Sequence, residues 1–193
     1  PRSTLFPYTT LFRSVWAGTF DASGEALVVA ALGWQPDALG NVQVPSNALC
    51  VNSFAQVELL RSGVDVFVTH GGQNSFTEAL SFATPVVVCP GFGDQEVNAA
   101  KAVSLGVGLK VDRPKIASPN EASQAAAMYR LDVCHAVKRL LDVSASAFRN
   151  AAKVQAEGLD RAGGVPRAVS LVLKAAADQG GLHPWSMTAS AGA

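Results

Sequence analysis

Short apolar runs recur along the chain, separated by stretches with helical spacing. Residues 26–32, 48–51, 64–69, 86–89 and 107–111 are each almost continuously apolar and rich in β-branched or aliphatic side chains. Runs of that length fit strands buried on both faces, as in a parallel sheet. The last of them reads as an edge strand, closed by Asp112-Arg113-Pro114. Residues 15–20 read as a further, remnant strand. Between the runs, Val57, Leu59 and Leu60 mark a short helix over 56–61, which ends near Gly63. A second helix is predicted over 76–82, stopped by Thr84-Pro85, and a third opens at Asp94-Gln95. Gly33-Trp34-Gln35-Pro36 breaks the chain into a loop over 37–45.

The last third changes character. Ser118-Pro119-Asn120-Glu121 is a helix-start signature, with Ser as cap, Pro at the first position and Glu at the third. Val133, Val137, Leu140 and Leu141 then share one helical face, and Phe148, Ala152 and Leu159 share another. Gly163-Gly164 ends that helix. Pro166 starts one more, with Val169, Val172, Leu173 and Ala176 expected inward. Residues 179–193 read as a small, polar, disordered tail. Strands alternating with helices predict a doubly wound, Rossmann-like parallel α/β sheet.

Residues 64–98 concentrate the candidate chemistry. A strand runs into the turn His70-Gly71-Gly72, which leads into a helix. Glycines let backbone approach a ligand, and a helix amino terminus offers unpaired N–H groups and roughly half a positive charge. The turn therefore suits a nucleotide or phosphate. It is neither G-x-G-x-x-G nor a Walker loop, which lowers the case for common dinucleotide and ATP sites.

The stretch THGGQNSFTEAL, followed by TPVVVCPGFGDQEVNA, resembles the donor-sugar signature of the UDP-glycosyltransferases, enzymes of GT-B fold that use nucleotide sugars. The order His, glycine pair, Asn-Ser, Glu, Pro before a strand, Asp-Gln and Asn is complete here. The resemblance extends more loosely over 47–174. It implies the C-terminal, donor-binding half of a GT-B enzyme, with residues 15–178 as the nucleotide-sugar-binding domain. His70, Gly72, Asn74 and Ser75 would then meet the donor pyrophosphate. Gln56 and Glu78 would face the nucleoside, Glu78 accepting from the ribose hydroxyls. Asp94 and Gln95 would grip the sugar, with Asn98 a weaker candidate. The implied reaction is inverting transfer of a hexose, glucose first, from UDP to a hydroxyl of a small lipophilic acceptor. The family's catalytic His belongs to an amino-terminal acceptor domain, and neither His135 nor His183 matches it. No catalytic residue, cofactor or metal is therefore assigned to this chain.

Local alternatives stand beside these roles. Ser75 and Glu78 have capping-box spacing, and Asp94 could cap the helix it opens. One position departs from the family: the aromatic expected three residues before Gln56 is Ser53, with Phe54 adjacent and Ala55 where a Pro is usual. A non-catalytic nucleotide-sugar-binding fragment and an unrelated Rossmann-type nucleotide protein remain rival readings.

Composition narrows the partners. Lysine plus arginine and aspartate plus glutamate number 15 each, so the formal charge is zero. That argues against a nucleic-acid footprint and a polybasic membrane surface. No apolar run approaches the ~18 residues of a spanning helix. Apolar residues make up 49% of the chain, which predicts a face hidden against another domain or partner. Cys50, Cys89 and Cys134 lie in apolar runs with no C-x-x-C and, apart from Cys134-His135, no His at ligand spacing, and read as buried free thiols of a reducing, cytoplasmic compartment. Residues 4–14, TLFPYTTLFRS, look like the in-frame translation of a sequencing adapter. Residues 1–14 are therefore excluded, with no expected folding role, and the chain is expected to be a fragment.

Overall fold

The computed structural model describes residues 6–116 and 118–178. The chain divides into two compact units, one closing at Ala156 and the other opening at Glu157.

In the first unit, strand β1 (Val28–Ala31) pairs in parallel with β2 (Ala48–Val51). Strands β3 (Phe67–Thr69), β4 (Val86–Val88) and β5 (Gly108–Lys110) form a second parallel sheet in the order β3-β4-β5. The expected parallel α/β class is present, with its pairing divided between two short sheets. Val86, Val87 and Val88 are wholly buried on the central strand, each contributing roughly 1.5–3 kcal/mol on burial. At the edge, Gly108 passes close under β4. A methyl group there would stand 2.0 Å from the Val86 carbonyl oxygen.

Helices link the strands. Helix α2 is Gln56–Arg61, α3 is Gln73–Ser81 and α4 is Asp94–Ser104. Helix α3 begins three residues before the expected Phe76, since Gly72 and not Ser75 stands at its N-cap. Helix α5 (Ala122–Leu141) follows a 3-10 turn at Pro119–Glu121, where Ser118 Oγ donates to Glu121 Oε1 at 3.1 Å. The predicted start signature is thus the entry to α5, offset by one 3-10 turn. Val133, Val137 and Leu140 are buried as expected, together with Ala126, Tyr129 and Cys134.

Helix α1 (Phe6–Ala22) overturns two expectations. Residues 15–20 are helical, not a strand. The preceding residues also have a structural place: Leu11 and Ser14 are buried, and Arg13 bonds the Ala38 carbonyl and the Asp37 carboxylate. Tertiary packing explains the helix. At Gly18 the backbone of α1 lies against α5, where a methyl would sit 2.4 Å from the Arg130 carbonyl oxygen. Arg130 closes a two-pronged ion pair on Asp21, at 2.5 and 2.7 Å.

Helix α6 is Ser146–Ala162 and α7 is Gly164–Asp178. Ala152 is buried and Phe148 half-buried. On α7, Val169, Val172 and Leu173 are exposed, not inward as their spacing predicts. Spacing gives a helix its apolar face, but only a packing partner buries it. The tail from Gln179, with His183, lies outside the described residues, as does part of the excluded start.

Candidate functional site

The site grows from the carboxyl ends of β3 and β4. Thr69 ends β3, and its hydroxyl accepts from the Gly71 amide at 3.1 Å. Gly71 has φ +83°, and a methyl on it would meet Val88 Cγ1 at 2.5 Å. Only glycine allows both the left-handed turn and that contact. The buried Asn98, on α4, donates to the Gly71 carbonyl at 2.8 Å. The turn is thus held from both sides. His70 comes next to Gly72, where a methyl would stand 2.6 Å from the imidazole Nε2. The imidazole lies over the entrance to α3.

His70, Gly72, Gln73, Asn74, Ser75 and Asp94 line an open cleft of about 410 Å³ at the amino terminus of α3. The amino end of a helix, with the positive end of its dipole, is a place that suits an anion. Gln73, which the sequence pattern does not single out, is part of it. Its backbone amide donates to Asp94 Oδ2 at 3.1 Å. Asp94 therefore caps α3 across the cleft. It does not cap α4, whose N-cap Gly93 has no side-chain capping bond. The only hint in the sequence is the position of Gln73, between two candidates at the turn into the helix.

Glu78 and Gln56 meet one helical turn further on. Gln56 Nε2 donates to Glu78 Oε2 at 2.6 Å and to Ser75 Oγ at 3.2 Å. This joins α2 to α3. Because Ser75 is already inside the helix, the capping-box alternative for Ser75 and Glu78 is not realised. Gln95 turns back on its own loop, its Oε1 accepting from the Gly91 and Phe92 amides at 2.8 and 3.3 Å. Its amide nitrogen is not used in those bonds. The structure thus gathers five of the eight sequence candidates around one cleft. It ties Gln56 and Glu78 to them through Ser75, and sets Gln95 on the neighbouring turn.

Below the site, Cys89 follows β4 and is buried with Tyr129 of α5. Burial pushes the Cys89 thiol up to about 12 and also raises the Tyr129 phenol. Cys134 is buried too, but Cys50 is only half-buried, against expectation.

Parallel strands with glycine turns opening into helices at their carboxyl ends define a nucleotide-binding type of α/β protein. The glycotransferase of kitacinnamycin matches this structure with a TM-score of 0.67 and 28% identity, over 84% of this chain and 38% of that one. Os79 from O. sativa, solved in complex with UDP, matches with a TM-score of 0.60 and 21% identity, over 72% and 30%. That second likeness is one of fold. The fold is a Rossmann-like part of a GT-B glycosyltransferase.

The family model described as UDP-glucoronosyl and UDP-glucosyl transferase matches residues 14–140, and the chain belongs to that family. The uncharacterized UDP-glucosyltransferase YdhE of Bacillus subtilis is 31% identical over 113 residues, covering 58% of this chain and 28% of the relative. UDP-glycosyltransferase 708A6 of Zea mays is 50% identical over 54 residues, covering 28% and 11%. The chain spans less than a third of the length of either relative.

Proposed function

We propose that this chain is the donor-binding domain of a glycosyltransferase that moves a hexose from a UDP-sugar to a hydroxyl of a small lipophilic acceptor. The observation that carries the reading is the cleft at the α3 amino terminus, where His70, Gly72, Asn74, Ser75 and Asp94 converge beside the Gln56–Glu78 pair. The diphosphate lies against the helix terminus and His70. Glu78 accepts from the ribose hydroxyls. Asp94 and Gln95 meet the hydroxyls of the sugar, which we take to be glucose. The donor is held by the unit that closes at Ala156, α1 included.

In the transfer, the acceptor oxygen attacks the anomeric carbon as the bond to the diphosphate oxygen breaks. A base takes the acceptor proton, and the configuration inverts. The α3 terminus stabilises the charge that develops on the departing UDP. Since the chain spans under a third of those relatives, the base and acceptor pocket are proposed to lie on residues outside it. This chain alone then binds donor and transfers nothing. A non-catalytic role in nucleotide-sugar binding is the alternative.

The test is UDP and UDP-glucose titration of the full chain, followed through backbone amide signals. The largest shifts are expected over residues 70–78 and at Gln56, with added shifts at Asp94 and Gln95 for UDP-glucose. Largest shifts in 118–174 would overturn the site. Glycoside formed from a panel of phenols and sterols would overturn the inactivity of the lone chain.

A further inference from the structure

We infer that Arg113 is a positioning residue for the sugar turn: its guanidinium braces Gly91 and fixes the Gln95 amide with the nitrogen left for a hydroxyl of the donor sugar. This rests on the donor-site reading above.

Position is the first observation. Strands β4 and β5 are paired with Val88 level with Lys110. Gly91 and Arg113 each stand three residues further on, at the carboxyl end of the same sheet. A methyl on Gly91 would lie 2.9 Å from Arg113 Nη2, 3.1 Å from Nη1 and 3.1 Å from Gln95 Oε1. Guanidinium and amide oxygen thus share the space beside the Gly91 Cα that a side chain would otherwise fill.

The second observation is the company Arg113 keeps. Among the described residues no carboxylate pairs with it. The neighbouring Asp112 is bonded to Lys110 at 2.6 Å, and Asp94 accepts from the Gln73 amide. Arg113 Nε is buried without a hydrogen-bond partner, and the Phe12 ring centre lies 5.0 Å from Cζ. A buried donor left unbonded destabilises a fold. Departures of this kind gather at functional sites.

The turn itself supplies the third. Phe92 is exposed, and Gly93 has φ +64° with open space around it. What holds the turn is Gln95 Oε1, which accepts from the Gly91 and Phe92 amides. Arg113 adds a cation beside that oxygen. An amide turned the other way would set its own N–H groups against two backbone donors and a guanidinium, none of which can accept. The oxygen therefore stays on the turn, and Nε2 keeps both N–H groups for a ligand.

The experiment titrates the full chain, Arg113→Ala, Arg113→Lys, Gly91→Ala and the double variant Gly91→Ala/Arg113→Ala with UDP and with UDP-glucose. Backbone amide signals and thermal unfolding are followed on each. Arg113→Ala is expected to lower the ratio of UDP-glucose to UDP affinity by about threefold to tenfold, the net worth of one hydrogen bond. UDP affinity should stay nearly as it was. Arg113→Lys, which keeps the charge but not the planar fork, should recover part of the ratio. If Arg113→Ala does not fold, Arg113→Lys decides by the same ratio, which must fall. Gly91→Ala should lower the ratio because its methyl meets the guanidinium, and should lower it less once Arg113 is replaced by Ala. A ratio unchanged in Arg113→Ala, whatever thermal unfolding shows, makes Arg113 a packing residue; the inference is then wrong and the donor site still stands. Equal losses for UDP and UDP-glucose overturn it likewise. If UDP leaves the amides of 70–78 unshifted, the donor-site reading and this inference fall together.

Discussion

Glu78 carries two loads, and substitution can separate them. Its carboxylate accepts from Gln56 at 2.6 Å, which ties α2 to α3. In the proposed complex it also accepts from the ribose. Glu78→Ala is expected to lower stability by about 0.5–1.5 kcal/mol, the net value of one ordinary hydrogen bond. UDP affinity should fall by at least tenfold, because bonds to a charged acceptor are worth roughly 1.5–3 kcal/mol. Urea denaturation and calorimetric titration of the same variant measure the two. A stability loss with unchanged UDP affinity would make Glu78 a strut between helices and nothing more. The sequence points to this residue but not to its partner. Gln56 lies 22 positions away, and only the packing of α2 on α3 makes them neighbours. Asp94 teaches the same lesson. Its local spacing suggests a cap for α4, whereas its bond runs back 21 positions to Gln73.

Among the elements, the strands are the most legible. Continuous β-branched runs such as Val86–Val88 have few alternatives to a buried strand, and α2 falls where its leucines predict. The start of α3 escapes the local pattern because Gly72, with no side chain to cap it, serves as N-cap while a distant carboxylate supplies the capping oxygen. Helix α1 escapes it because Val15, Trp16, Thr19 and Phe20 favour strands locally. The closeness that Gly18 allows to α5 decides otherwise. The His70-Gly71-Gly72 turn depends on α4 in a similar way, through Asn98. Asn98→Ala is expected to leave the Gly71 carbonyl without that donor, at a cost of about 1–3 kcal/mol. UDP binding should weaken with it, because the turn loses one of its two anchors. Thermal unfolding and UDP titration check this. A full loss of stability with intact UDP affinity would show that the turn keeps its shape without Asn98.

At the scale of the whole molecule, the core beneath the sheet sets an alkaline limit. Cys89 and Tyr129 both titrate higher in the fold than in the open chain, because burial disfavours their anions. Their neutral forms stabilise the fold fully below the unfolded thiol value near 9. As pH rises from there towards about 12, the unfolded chain gives up protons that the folded one keeps, and stability falls. Urea unfolding at about pH 8 and about pH 10.5, on either side of the unfolded thiol value, should show the decline, and Cys89→Ala should flatten it. A profile unchanged by that substitution would assign the decline to other groups. The pairing of α1 with α5 has a consequence of another kind. Ser14 bonds the Ala126 carbonyl across 112 positions, and Arg130 reaches Asp21 across 109. Such contacts raise the contact order, so closure waits on a large loop. On a ribosome adding ~5–20 residues per second, α1 would wait roughly 5–20 seconds for its partner to be made. During that interval the strands of the cleft emerge while Leu11 and Phe20 lie uncovered, and the newborn chain is most open to capture by chaperones.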